Sequence, residues 1–173
     1  SDWLTRSITD VVAAYRSRWK LPPLESPDQS FSQLAQISQM PRAFDFPRTD
    51  LPSVFHYVGP LRRDGSATTT FPWHQLDGRP IVYASLGTLQ NNREPLFRCF
   101  AEATQRLDVQ VVDSHGGGLT RDDAARLPGN PVVVDYAPQL DLLARARLTI
   151  THAGLNTVLD SLTNGVPLVA VPI

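Results

Sequence analysis

Cysteine is almost absent from the chain, because Cys99 is the one cysteine among 173 residues. A single thiol excludes a disulfide framework and any zinc site built from several cysteines. Long apolar runs are missing too, since no stretch approaches the roughly 18 residues of a membrane-spanning helix. The first residues also lack the basic-then-apolar profile of a signal peptide. We therefore expect a soluble protein from a reducing compartment, located in the cytoplasm.

Charged residues are scarce and balanced. They make up 19% of the chain, against roughly 25% in ordinary soluble domains. Sixteen Lys and Arg face 17 Asp and Glu, which gives a net charge of −1. Neither half of the chain is basic, so we expect no nucleic-acid partner. Apolar residues make up 42%, which is enough for a buried core and argues against disorder.

Proline marks the first part of the chain, where residues 1–80 hold nine of the 15 prolines. Residues 2–19 have the spacing of an amphipathic helix, which the next prolines end. Residues 34–40 and 54–58 are predicted to be brief strands in a turn-rich region. The polar stretch 61–79 is predicted to be an interdomain linker. The apolar face of the helix consists of Ile8, Val11, Val12, Tyr15 and Trp19.

After residue 80, apolar strands alternate with helices. The predicted strands cover residues 81–86, 109–112, 131–136, 148–151 and 168–171. The predicted helices cover residues 93–107, 120–127, 140–146 and 155–163. This alternation predicts an α/β fold over 80–173, a doubly wound, Rossmann-like parallel sheet with strand order 3-2-1-4-5. The inward face of the first helix is predicted to be Leu96, Phe97, Phe100, Ala103 and Leu107.

A ligand crevice is expected where the winding of this sheet reverses, at the carboxyl ends of its first and fourth strands. Both strands lead into loops that contain glycine and small hydroxyl residues. The second loop opens directly into a helix, whose first N–H groups are unpaired and partly positive. We therefore predict a phosphate or diphosphate site. Its residues are Ser85, Gly87 and Thr88 in the first loop, and His152, Gly154, Asn156 and Thr157 in the second.

Each of these residues also has a plainer interpretation. The second loop could be an ordinary turn, with Asn156 and Thr157 as helix caps and His152 as a satisfied core histidine. Tyr136, at the end of the third strand, could stack on a flat base or simply pack. Asp160 lies one helical turn after Asn156, where a carboxylate suits a ribose diol, but it could equally be a solvated helix charge.

Several common motifs are absent. There is no G-x-G-x-x-G fingerprint, no P-loop and no D-x-D pair for a metal. We therefore expect no obligatory metal, with helix dipoles and donors neutralising the phosphates. The run from His115 to Gly118 is similar to an esterase oxyanion loop, but the chain has no G-x-S-x-G elbow. This run is predicted to be a mobile turn.

The combined pattern resembles the donor-binding signature of UDP-glycosyltransferases with the GT-B fold, most of all bacterial members of the macrolide and zeaxanthin glucosyltransferase type. Residues 80–173 carry the resemblance. Residues 44–47 and 55–61 resemble the end of the acceptor domain and the run into the linker, so residues 1–60 are expected to be the tail of that domain. The motifs are Ser85-Leu86-Gly87-Thr88, Tyr136-Ala137-Pro138-Gln139, Thr151 to Thr157, Asp160 and Gly165-Val166-Pro167.

The resemblance implies roles for these residues. Tyr136 stands where relatives often have a tryptophan that stacks on uracil, and Gln139, with the adjacent Ala137, would lie near the nucleoside. Asp160 stands where the family usually has glutamate for the ribose hydroxyls, and it is one methylene shorter. The diphosphate would be held by His152, Gly154, Asn156 and Thr157, with help from Thr88. No residue of this chain matches the family's catalytic base or the pair that grips the donor sugar.

The resemblance implies an inverting enzyme that transfers a hexose from a UDP-sugar to a hydroxyl of a small, hydrophobic acceptor. Because the chain starts without Met and ends in an apolar run, we expect a fragment that supplies the donor site and is inactive alone. We expect it to self-associate through residues 1–60, and peripheral membrane association of the full-length enzyme is a further expectation. Two alternatives stay open: a non-catalytic donor-binding subunit that needs a partner chain, and a sugar-nucleotide epimerase of the same fold.

Overall fold

Residues 2–62, 69–88 and 94–173 are described by the structure, a computed structural model of the chain. They form two units, residues 1–59 and residues 60–173. Part of the predicted linker, 63–68, and the predicted helix start at Arg93 lie outside the described residues. Within the described ranges, no helix combines the length and the apolar character that crossing a membrane requires.

The first unit consists of one helix and a short parallel strand pair. Helix α1 covers Asp2–Arg18, strand β1 covers Gln36–Ser38 and strand β2 covers Phe55–Tyr57. The helix and both brief strands confirm the predictions from sequence. Short 3-10 turns at Pro27–Ser30 and Arg42–Phe44 occupy the proline-rich stretches. The apolar face of α1 is 41–64% exposed at Ile8, Val11, Val12, Tyr15 and Trp19, and self-association through this unit stays a prediction.

The second unit contains a five-stranded parallel sheet whose strands alternate with helices. Its strands are β3 (Ile81–Ser85), β4 (Gln110–Ser114), β5 (Val132–Val134), β6 (Ala146–Thr151) and β7 (Leu168–Ala170). Its helices are α2 (Glu94–Thr104), α3 (Arg121–Ala125), α4 (Gln139–Leu143) and α5 (Leu155–Thr163). The strand order β5-β4-β3-β6-β7 is the predicted 3-2-1-4-5 winding. The α/β fold class is therefore confirmed.

Apolar side chains cover both faces of this sheet, as continuous apolar strands require. On one face Val82 and Ala84 pack against Phe97 and Phe100 of α2. On the other face Tyr83 and Val112 pack against Leu142 and Leu143 of α4. Since all five residues of β3 and of β4 are buried, these two strands form the centre of the core.

The predicted inward face of α2 is partly wrong. Ala103 is exposed, and Leu107 is 56% exposed because the helix ends at Thr104. Ala101 and Thr104 are buried in their place. The Thr104 hydroxyl donates to the carbonyl oxygen of Phe100 at 2.7 Å, so a polar residue is accommodated in the core without an unmet hydrogen bond.

Part of the predicted linker packs on the sheet. Phe71 is 6% exposed in the core beside Tyr83, and Trp73 and Leu76 pack against the same cluster. Trp73 also begins a short 3-10 turn, Trp73–Gln75. Residues 71–76 are thus held by apolar contacts, and the assignment of 61–79 to a linker between domains stays a prediction.

Strand β4 runs two residues beyond its predicted end and carries a buried acid. Asp113 is 0% exposed and lies between Ala84 of β3 and Val133 of β5. Neither carboxyl oxygen has a hydrogen-bond partner among the described residues. Burial raises the pKa of Asp113 to about 8, because an unpaired charge is costly to remove from water. The side chain is therefore a neutral acid at pH 7.

Candidate functional site

Two turns lie side by side at the carboxyl edge of the sheet. Strands β3 and β6 are neighbours, and Ser85 at the end of one pairs with Thr151 at the end of the other. The turns that follow, 86–88 and 152–154, therefore begin at the same height. The expectation that these loops adjoin is confirmed.

The imidazole of His152 lies between the glycines of the two turns. A Cβ atom added at Gly87 would lie 2.8 Å from Cε1 of His152. One added at Gly154 would lie 2.8 Å from both Cε1 and Nε2. Such distances are shorter than van der Waals contact, so each position accepts only glycine while the ring stays in place. The two loops thus meet through this one side chain.

The backbone around His152 is strained in a way that fits a functional site. Ala153 adopts φ +64, a left-handed conformation that costs a residue with a side chain about 1–2 kcal/mol. Nδ1 of His152 is buried and has no hydrogen-bond partner among residues 2–62, 69–88 and 94–173. The interpretation of His152 as a satisfied core histidine is therefore wrong.

Helix α5 begins at this edge without a side-chain cap. Its N-cap residue is Gly154, and no side chain of the described residues accepts from the first N–H groups. Asn156 is exposed, while the Thr157 hydroxyl donates to Oε1 of Gln139 at 3.3 Å. The interpretation of Asn156 and Thr157 as helix caps is therefore wrong. The uncapped N–H groups keep the partial positive charge that attracts an anion.

A polar network joins helices α4 and α5 beneath this edge. Gln139 donates through Nε2 to Oδ2 of Asp160 at 2.5 Å and accepts at Oε1 from the Tyr83 hydroxyl at 3.3 Å. Asp160 is 6% exposed, so its interpretation as a solvated helix charge is wrong. The guanidinium of Arg62 lies 2.5 Å from Oδ1 of Asp160. Both carboxylate oxygens are therefore engaged.

Replacing Gln139 by glutamate should destabilise the protein at neutral pH by about 1–3 kcal/mol. The new carboxylate would lie beside Asp160, and two such groups cannot both ionise cheaply. The repulsion disappears once one of the two groups is protonated, so the lost stability should return as the pH falls. Urea unfolding at pH 4 and pH 7 measures this. Gln139→Met, which removes the hydrogen bond without adding charge, should show a smaller difference in stability between the two pH values. Equal pH dependence in the two variants would contradict the prediction.

Tyr136 stands near the same edge, in the loop after β5. Its side chain is 56% exposed, so the interpretation as a packing residue is wrong. Its hydroxyl lies 3.4 Å from the carbonyl oxygen of Gly116, in the turn after β4. An exposed ring held at one end leaves a flat face open to a planar group.

The glycine-rich turn after β4 is organised by His115, which is 4% exposed. Nδ1 of His115 accepts the backbone N–H of Leu119 at 3.0 Å, which places the ring proton on Nε2. Nε2 lies 3.1 Å from Oδ1 of Asp135. Burial lowers the pKa of His115, in keeping with this neutral form. Sequence reasoning assigned the run to a turn but did not foresee that its histidine closes it.

The other predicted site residues lie in the first turn or pack against the core. Ser85 is buried, and its hydroxyl accepts the N–H of Gly87 at 3.3 Å, which shapes the first turn. Thr88 is exposed at the same turn. Ala137 packs against the core cluster on the α4 face. Arg62 was missed, because nothing in its local sequence signals an ion pair with a residue 98 positions away.

Comparisons with known proteins place the chain beside glycosyltransferases. The family model described as "UDP-glucoronosyl and UDP-glucosyl transferase" matches residues 15–173. The zeaxanthin glucosyltransferase of Pantoea ananas is 41% identical over 99% of the chain and 41% of its own length. The demethyllactenocin mycarosyltransferase of Streptomyces fradiae is 37% identical over 77% of the chain and 29% of its own length.

A solved structure gives the same result for the fold. The calicheamicin glycosyltransferase CalG4 superposes on 94% of the chain with a TM-score of 0.67 and 26% identity, using 41% of its own length. This likeness confirms the GT-B type of fold that the resemblance implied. The chain spans less than half the length of each of these relatives.

Proposed function

The chain belongs to the UDP-glucoronosyl and UDP-glucosyl transferase family, and from this premise we propose that it forms the donor-nucleotide site of a glycosyltransferase. The enzyme would transfer a hexose from a UDP-sugar to a hydroxyl group. The observation that carries this proposal is the His152 imidazole, held between Gly87 and Gly154 beside the uncapped start of α5.

The diphosphate is proposed to lie over the two turns. The first N–H groups of α5 would donate to its oxygens, since Gly154 lets the backbone approach closely and no side chain in the described part of the chain competes for them. His152 would add a donor from its ring. Asn156 and Thr88, both exposed at this edge, would add side-chain donors, and Thr157 would support the first turn through its bond to Gln139. No metal is obligatory in this proposal.

The nucleoside is proposed to lie toward the ends of β4 and β5. The exposed ring of Tyr136 would stack on uracil. Gln139, next to Ala137, is fixed by its bonds to Tyr83 and Asp160 and would line the ribose side. Because both oxygens of Asp160 are already engaged, a direct ribose contact would require one of these partners to yield.

The proposed reaction is a single displacement with inversion. The acceptor oxygen forms a bond to the anomeric carbon while the bond from that carbon to the UDP oxygen breaks. UDP departs with the electron pair, and a base takes the proton of the acceptor hydroxyl. We assign no base to this chain. Its residues would orient the donor and stabilise the negative charge that develops on the departing diphosphate.

The acceptor is proposed to be a small, largely hydrophobic alcohol, because two relatives are named for zeaxanthin and for demethyllactenocin. A cytoplasmic enzyme that meets such acceptors at a membrane surface would suit this chemistry. The chain alone is proposed to bind UDP without turning over the sugar, because we assign it only the donor side of the reaction.

Calorimetric titration of UDP into the wild-type chain and His152→Ala tests the proposal. Loss of one charge-assisted hydrogen bond should weaken UDP binding about 10- to 100-fold. His74→Ala is the matched control, because His74 is an exposed histidine in the turn Trp73–Gln75, which is hydrogen bonded to Gln110 at the opposite edge of the sheet. This control should bind as wild type does. Unchanged UDP affinity in His152→Ala would refute the diphosphate assignment.

A further inference from the structure

Arg62 reaches across to the start of helix α5. Its Nη2 lies 2.5 Å from Oδ1 of Asp160 and 3.5 Å from the carbonyl oxygen of Asn156, the second residue of the helix. Its Nη1 lies 3.2 Å from its own neighbour's carbonyl, that of Leu61. The guanidinium is thus held one helical turn from the N–H groups that face the two loops.

The two turns bring no permanent cation of their own. Ser85, Thr88 and Asn156 are neutral, and the helix start contributes only about half a positive charge. A nucleoside diphosphate carries at least two negative charges. Asp160 would add a further negative charge near it, which on its own would repel the ligand. The charge balance of the site therefore calls for a fixed cation at this position.

Arg62 meets that need in its observed position. Its ion pair cancels the charge of Asp160, whose side chain is only 9% exposed. A guanidinium has five N–H donors, and among the residues that the structure describes Nε of Arg62 has no partner. Asp160 thus orients the group while at least one donor stays free for a phosphate oxygen.

We propose that Arg62 is a donor-binding residue, oriented by Asp160, that neutralises the charge of this carboxylate and offers a guanidinium N–H to the diphosphate. This inference rests on the proposed function and deepens it. It gives the exposed segment before residue 63 a role in binding, where the sequence predicts only a linker. Arg62 would recognise the diphosphate of the donor, so replacing it should not change the affinity for a neutral nucleoside.

The test is titration of UDP and of uridine into the wild-type chain, Arg62→Gln and Arg147→Gln. The last variant is the matched control, because it removes the same charge from an exposed position at the start of β6, on the opposite edge of the sheet. UDP affinity should fall about tenfold in Arg62→Gln and stay near wild type in the control. Uridine affinity should be equal in all three, and Arg62→Lys should recover part of the UDP affinity.

Arg62→Gln leaves Asp160 buried and unpaired, so the double variant Arg62→Gln with Asp160→Asn keeps the inference testable if the single variant unfolds. It should bind UDP more tightly than the single variant, because the unpaired Asp160 charge is gone, but more weakly than wild type, because the Arg62 donor is still missing. UDP binding by Arg62→Gln within twofold of the control, or tighter, overturns the inference while the proposed function stands. A wild-type chain that does not bind UDP overturns both.

Discussion

Replacing Gly154 by alanine should abolish most UDP binding while leaving the sheet folded. Gly154 has φ −57, which any residue adopts, so the new methyl group brings no backbone strain. It would lie 2.8 Å from Cε1 and Nε2 of His152, which is shorter than van der Waals contact. The imidazole must therefore leave its place. We expect UDP affinity to fall more than tenfold, measured by calorimetric titration.

Gly165→Ala is the matched control for this variant, because Gly165 follows the other end of α5. A Cβ atom there meets nothing within 4 Å, but φ is +65. This variant should lose about 1 kcal/mol of stability and bind UDP normally. Gly154→Ala should thus lose UDP affinity while the sheet stays folded, whereas Gly165→Ala should lose stability and keep its UDP affinity. A Gly154→Ala chain that binds UDP as tightly as Gly165→Ala would show that the position of His152 is irrelevant to the ligand.

Replacing Asp113 by asparagine should stabilise the protein, and the gain should grow with pH. The folded pKa of Asp113 is about 8, above the 3.8 of an unfolded aspartate. The native state therefore holds an extra proton between these values, and the wild-type chain loses stability as the pH rises through this window. Asparagine does not titrate. The gain should approach about 4 kcal/mol at pH 7 and vanish near pH 4.

Urea unfolding of both chains at pH 4, 6 and 8 measures this difference. Asp108→Asn is a suitable control, because Asp108 is exposed just before the same strand. The stability difference between Asp108→Asn and wild type should not grow with pH as the difference for Asp113→Asn does. If Asp113→Asn were less stable than wild type at pH 8, the carboxylate would have a partner that stabilises its charged form.

The winding of the sheet could be predicted from sequence because its signals are local. Runs such as residues 81–84 and 132–134 are apolar without interruption, and each is followed by a polar residue. The register that brings Ser85 beside Thr151 follows from the winding alone. For the same reason the sequence alone predicts that the two turns of the candidate site lie together.

The failures arise where tertiary contacts override local pattern. The predicted strand end at residue 112 is wrong, because β4 continues through Asp113, whose carboxyl group is buried and neutral. Leu107 was placed inward by helical spacing, which does not apply beyond the helix end at Thr104. The burial of Asp160 depends on Arg62 and Gln139, which are distant in sequence. Gly87 and Gly154 can be identified from the sequence. Their steric role beside the His152 imidazole depends on the three-dimensional structure.

The central claim is that the turns after β3 and β6 hold one diphosphate together. Amide chemical shifts of the nitrogen-15-labelled chain during UDP titration test it most directly. The account predicts that the amides of Gly87 and Thr88 and those of 154–157 shift together and saturate with one dissociation constant. Shifts confined to one of the two turns, or to residues such as Ala144 and Gly165 at the opposite edge of the sheet, would contradict it.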